Sequence, residues 1–207
     1  MNKADFIYNN LLALFPEAKC QLDHQNNFQL LIAVILSAQT TDKAVNVVTH
    51  KLFDKYPSPY ALANAELDDV EQCIKEIGLY KNKAKNIINC AKKIHYIYHD
   101  EVINNQEELM SLPGVGKKTS NVVLAECFNY PTIAVDTHVN RVSKRLKLAD
   151  KLDTVEKVEE KLKEQFNQDK WIKLHHLMIF FGRYKCTSIK PKCDNCPFID
   201  FCDKDNY

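Results

Sequence analysis

Apolar residues along the chain recur at helical spacing, not strand spacing. Phe6, Ile7, Leu11, Leu12 and Phe15 share one face of a helix predicted over Asp5–Phe15, and Pro16 ends it. Phe28–Ser37 is apolar on every side, which predicts a helix buried all round. The polar turn Ser37–Asp42 follows, where Thr41 or Asp42 can cap a helix over Lys43–Tyr56 that Pro57-Ser58-Pro59 closes. Leu67–Ile77 comes next, with Gly78 placed as its C-terminal stop. Lys81–Tyr98 carries Ala84, Ile87, Ile88, Ala91, Ile94 and Tyr98 on one stripe. Its opposite, solvated face carries Lys81, Lys83, Lys85, Lys92 and Lys93. Gln106–Ser111 reads as a short helix, and Asn129-Tyr130-Pro131 as a break. Beyond the break, helices are expected from near Thr137, over Thr154–Phe166 on Val155, Val158, Leu162 and Phe166, and over Trp171–Phe181 up to Gly182. No stretch alternates with period two, so the expectation is an all-α chain.

Between two of these helices lies Leu112–Leu124, LPGVGKKTSNVVL, which holds two of the chain's four glycines. Gly114 and Gly116 permit a tight turn and leave amide N–H groups uncovered by side chains. The helix that begins at Lys117-Lys118 adds the positive end of its dipole, so the spot suits a phosphate. The pattern is similar to a helix-hairpin-helix, which grips the DNA backbone without reading bases. The plain alternative is an interhelical turn with two solvated lysines. Further on, Asp136 stands just ahead of the helix near Thr137, both a cap and an anion at that helix's positive end.

Composition narrows the classes. The chain has 207 residues, 45% hydrophobic and 27% charged, which describes a globular protein of one domain or two small ones. Its longest apolar run, Leu30–Leu36, falls far short of the roughly 18 residues a membrane helix needs. The N-terminus lacks the basic-then-apolar order of a signal peptide, so an intracellular, cytoplasmic location is expected. A net charge of +1 does not announce a nucleic-acid binder, and a basic face would have to come from distribution. Lys83, Arg141, Lys144 and Lys185 are the candidates to line such a face.

Eight cysteines divide into two sets. Cys20, Cys73, Cys90 and Cys127 are scattered at helical positions and read as small core residues. Cys186, Cys193, Cys196 and Cys202 fall within 17 residues as C-x6-C-x2-C-x5-C. Four thiolates from a compact loop suit an iron–sulfur cluster or a tetrahedral metal. A single C-x2-C pair leans toward iron–sulfur and leaves zinc open, while disulfides are disfavoured inside cells.

Taken together, LSAQTTD (Leu36–Asp42), GLYKNKA (Gly78–Ala84), LPGVGKKTSNVV (Leu112–Val123), VDTHVNR (Val135–Arg141) and the cysteine loop resemble the endonuclease III family. These are bifunctional DNA glycosylases and abasic-site lyases of the helix-hairpin-helix superfamily, and the likeness runs the length of the chain. The resemblance implies two helical domains flanking a DNA-binding groove. One is a six-helix domain over 20–130 with the hairpin; the other is a discontinuous iron–sulfur domain of 1–19 and 131–207. It implies a monomer that removes oxidised pyrimidines from damaged double-stranded DNA. Lys118 would be the nucleophile, Asp136 the catalytic carboxylate, and Cys186, Cys193, Cys196 and Cys202 the ligands of a [4Fe–4S] cluster. Gln39 and Leu79 match positions that enter the duplex, and Gly114, Gly116 and Lys117 the phosphate grip. His138 and Arg141 would touch substrate or phosphate, or else serve structure. The stretch Glu101–Asn104 departs from the family in lacking a proline after valine. Two rivals are an adenine-type monofunctional glycosylase and a non-catalytic hairpin module with a structural zinc. Lys118 speaks against the first, and its pairing with Asp136 against the second.

Overall fold

The computed structural model describes residues 2–203. The described residues form helices and no strand, in two compact units, 21–128 and 1–20 with 129–207. In order the helices are α1 (Lys3–Leu14), α2 (Asn27–Leu36), α3 (Asp42–Lys55), α4 (Pro59–Ala63), α5 (Leu67–Ile74), α6 (Tyr80–Tyr96), α7 (Gln106–Met110), α8 (Lys117–Phe128), α9 (Thr137–Arg145), α10 (Val155–Gln165) and α11 (Trp171–Tyr184). No helix among them is long and apolar enough to cross a membrane.

In the unit 21–128, α2 is the core helix, with every residue from Phe28 to Leu36 buried. It packs on α3, α6 and α8, and α6 packs on α4 and α5. The unit has seven helices where the sequence reading expects six. The additional one is α4, which Ser58 caps at 3.2 Å through the amide of Ala61, with Pro59 at the first turn. Ser-Pro opens a helix there because proline's missing N–H is one the first turn does not need. Gly78 does not end α5 as a left-handed cap; α5 stops at Ile74, and the left-handed residue is Leu79, at φ 58°. The lysine face of α6 also needs correcting. Lys83 is buried, and Lys93 donates to the carbonyl of Ser111 at 2.8 Å.

The unit of 1–20 and 129–207 packs α1 and α9 on α11, and α10 on α9. Ile7, Leu11, Val139, Val142, Val158, Leu162, Leu174, Leu177 and Phe181 make its core. Val155 instead stands exposed, and α11 runs through Gly182 to Tyr184 instead of stopping. Gly182 serves packing: a Cβ there would lie 2.9 Å from the Cβ of His138. Of the four scattered cysteines only Cys90 is a core residue, its thiol pushed up to about 12 by burial; Cys20, Cys73 and Cys127 are half-buried.

Candidate functional site

The hairpin between α7 and α8 is held from beneath. Leu109, Leu112 and Val115 are buried, and the amide of Val115 bonds the carbonyl of Leu112 at 3.1 Å. The two helices are clasped by Gln106, whose Nε2 donates to Oδ1 of Asn121 at 2.6 Å. The two glycines play different parts. Gly114 has φ 81°, and a Cβ there would meet Cγ2 of Ile35 at 2.9 Å, so both backbone and space require glycine. Gly116 has nothing within 4 Å of an added Cβ, so its bareness keeps the first turn of α8 open. Lys117 and Lys118 are the first two residues of that turn and both are exposed. An amine on the first turn of a helix lies near uncommitted N–H groups, where anions are favoured.

Elsewhere in the same unit, Gln39 is exposed at the turn after α2 with φ 55°, and Leu79 is 61% exposed just ahead of α6. Each projects from a loop tip, and each holds a left-handed conformation that costs a non-glycine residue roughly 1–2 kcal/mol.

In the other unit, Asp136 caps α9, accepting from the amide of Val139 at 2.7 Å through Oδ1. The remaining basic residues of α9 do not form an open cationic face. Arg141 donates from Nη2 to the carbonyls of Gly182 at 2.8 Å and Cys186 at 3.1 Å, and to Nδ1 of His138 at 3.2 Å. His138 accepts there as a neutral ring, and burial, followed by the charges of Arg141 and Arg183, holds its pKa below the ordinary value. Lys144 donates to the carbonyl of Asp153 at 2.8 Å, and Lys185 to that of Asp194 at 3.2 Å. With Lys83 buried as well, the four cations expected on one phosphate face are all drawn to carbonyl or hydroxyl oxygens.

Arg145, the last residue of α9, is 1% exposed. Its Nη1 donates to the carbonyl of Thr187 at 2.7 Å and to Sγ of Cys186 at 3.3 Å, and its Nη2 to the carbonyl of Ser188 at 3.2 Å. Cys186, Cys193, Cys196 and Cys202 line one cavity together with Arg145, Phe181 and Lys185. Burial and the neighbouring thiolates push the Cys202 thiol up to about 11, and burial raises Cys196 as well. Four cysteines gathered on one cavity are a ligand set for an iron–sulfur cluster or a metal ion, whose positive charge would offset that of the thiolates. The loop's apolar anchor is Phe198, fully buried, with its ring 5.3 Å from Phe181, 6.3 Å from Phe6 and 6.0 Å from Phe201. The pair Phe198 and Phe201, three residues apart, was the available sequence signal.

Residues 32–168 match the model of the HhH-GPD superfamily of base excision DNA repair proteins, and the chain belongs to that superfamily. Residues 186–202 match the iron–sulfur binding domain of endonuclease III. The endonuclease III of Bacillus subtilis is 46% identical over 98% of this chain and 92% of its own. Among solved structures, a non-covalent endonuclease III–DNA complex aligns with TM-score 0.94 at 46% identity over 99% of this chain and 96% of that one. A trapped endonuclease III–DNA covalent intermediate aligns with TM-score 0.93 at 46% identity, over 99% and 97%. Within the superfamily, the chain is a member of the endonuclease III family, DNA glycosylases that also cleave abasic sites, with a [4Fe–4S] cluster as cofactor.

Proposed function

We propose that this enzyme excises oxidised pyrimidines from duplex DNA and cuts the abasic strand by β-elimination through a Schiff base on Lys118. Lys118 is the observation that carries the reading: an exposed amine on the first turn of α8, directly behind the hairpin. The unprotonated amine attacks C1′ of the sugar, the N-glycosidic bond breaks, and the electron pair leaves with the base. The attached amine gives up one proton, its lone pair then opens the C1′–O4′ bond while O4′ takes up a proton, and the resulting iminium acidifies the C2′ proton. Loss of that proton expels the 3′ phosphate and breaks the strand. Asp136 accepts a proton from the incoming amine or stabilises positive charge that grows on the sugar. The covalent intermediate trapped in a protein 46% identical supports this route.

The other parts follow from their surroundings. Gly114, Gly116 and Lys117 present α8's amide end to a DNA phosphate. Gln39 and Leu79 enter the stack where the nucleotide leaves, Leu79 as an apolar wedge. Arg141 joins α9 to the carbonyls of Gly182 and Cys186, with His138 accepting from it, and so the pair steadies the helix that Asp136 caps. Cys186, Cys193, Cys196 and Cys202 hold the cluster, which crosslinks the C-terminal loop. The enzyme works as a monomer in the cytoplasm.

Borohydride trapping on abasic duplex tests the assignment. Lys118→Gln should lose both trapping and strand cleavage while retaining binding. Asp136→Asn keeps the cap, and should slow base excision far more than cleavage of a pre-formed abasic site. Trapping by Lys118→Gln at the wild-type rate would move the nucleophile elsewhere, first to Lys117.

A further inference from the structure

Lys83 is 5% exposed, and its ammonium donates to the carbonyl of Leu36 at 3.0 Å and to Oγ1 of Thr40 at 2.7 Å. Neither partner is a carboxylate. Burial lowers its pKa, so the charged form is held there at a cost that an apolar side chain would avoid. Its two partners bracket the turn of Gln39: Leu36 ends α2, and Thr40 directly follows Gln39. The Thr40 hydroxyl in turn donates to the carbonyl of Ala38 at 3.3 Å, and the amide of Thr40 to that of Ser37 at 3.1 Å. Lys83's backbone faces the other loop, since its own amide donates to the carbonyl of Leu79 at 3.0 Å, the bond that opens α6. The ammonium therefore fastens the Gln39 turn to the first turn of α6, which carries Leu79 at its start. Leu79 is the sole apolar member of the eight non-glycine residues with such φ among those described. A strained conformation persists where its surroundings over-determine it.

We infer that Lys83 is a positioning residue for nucleotide extrusion, tying the Gln39 turn to the Leu79 tip so that both side chains enter the duplex in a fixed relation. The inference rests on the proposed role of Gln39 and Leu79. It assigns Lys83 no contact with DNA. Its ammonium is committed to α2 and the turn, and its amide to Leu79. Without the ammonium the Gln39 turn can shift relative to the start of α6 that carries Leu79, and insertion loses its register. A misplacement of about 1 Å at such a point costs on the order of a hundredfold in rate.

The test uses a duplex with 2-aminopurine stacked beside a tetrahydrofuran abasic analogue, which brightens as the stack opens. Wild type should brighten it, and Leu79→Ala and Gln39→Ala should each diminish the signal. Lys83→Met should diminish it too, with kcat on a paired lesion down about a hundredfold, while borohydride trapping on a single-stranded abasic oligonucleotide stays near wild type. Thr40→Val removes only the hydroxyl bridge and covers the case in which Lys83→Met fails to fold. It should show the same split between opening and trapping, and the double variant should be no worse than Lys83→Met alone. If the Leu79 and Gln39 variants dim the signal and folded Lys83→Met or Thr40→Val does not, the positioning role is overturned. If neither Leu79→Ala nor Gln39→Ala dims it, the duplex-entry reading falls and the inference with it.

Discussion

Helices α8 and α9 both begin a basic segment, yet the two segments put their charges to opposite uses. At α8 the cations Lys117 and Lys118 stand exposed beside a bare glycine. At α9 Arg141 and Arg145 turn inward onto carbonyls of α11 and of the loop that follows it, and onto a cysteine sulfur of that loop. The difference lies in what is nearby. The α8 segment follows a short hairpin whose own carbonyls and amides close on each other. The cysteine loop brings carbonyls that lack a regular ladder, and guanidinium groups satisfy several at once. A run of positive residues in a sequence therefore does not by itself mark a nucleic-acid face.

The largest effect should come from the inward side. Arg145→Met leaves the half-buried carbonyl of Thr187 without its cation, at about 1 kcal/mol, while that of exposed Ser188 can turn to water. It also removes the N–H donor on Cys186, and losses around a metal site typically cost about ten- to a hundredfold in affinity. Thermal unfolding should drop by several degrees and iron per chain should fall; full iron with an unchanged midpoint would mean the contrast between α8 and α9 is superficial.

The outward side divides at its glycines. Gly114→Ala forces a left-handed alanine, about 1–2 kcal/mol, and in addition drives its methyl into Ile35. Gly116→Ala has open space and should stay within about 0.5 kcal/mol of wild type. Its added methyl should nonetheless weaken salt-sensitive binding to undamaged duplex, by roughly tenfold for one lost contact of about 1.4 kcal/mol. Denaturant unfolding and a salt titration of duplex affinity separate the two. Equal losses of stability would remove the distinction.

The smallest effect is a pH dependence at His138. Its pKa in the folded protein lies below the ordinary 6.5, through burial first and then Arg141 and Arg183, against the pull of Asp136. The unfolded chain therefore takes up the proton first as the solution acidifies. Stability from this group is complete above the ordinary value and is lost as pH falls from there through the folded value. His138→Gln keeps an acceptor for Arg141 without titrating, so the unfolding midpoint should decline less between about pH 7.5 and about pH 5 than in wild type. An identical decline would assign the acid loss to other groups.

Much of the helix layout was legible because its signals are short. Thr41, Asp136 and Thr154 each cap through an amide three residues on, so sequence neighbours suffice to place these starts. Ser58 does the same for α4, and was hidden by reading two prolines as an ending alone. The hairpin is equally local, and it sets Lys118 at the second residue of α8 whatever the rest of the chain does. Cysteine spacing defined a four-thiol loop but left iron–sulfur and zinc both open, and the match to the iron–sulfur domain decided between them.

The fates of the charged and small residues were set at long range. Lys83 finds its carbonyl 47 residues away, and Arg145 finds Thr187 42 residues away. Gly182 reads as a helix stop, yet becomes the place where α11 approaches His138. Phe198 looks like a stray aromatic in a polar loop until Phe6 and Phe181 close around it. Periodicity and caps report which backbone conformation a segment takes, because those bonds form within one turn. Whether a lysine meets water or a buried carbonyl depends on which distant backbone the packing brings beside it, and no local pattern encodes that.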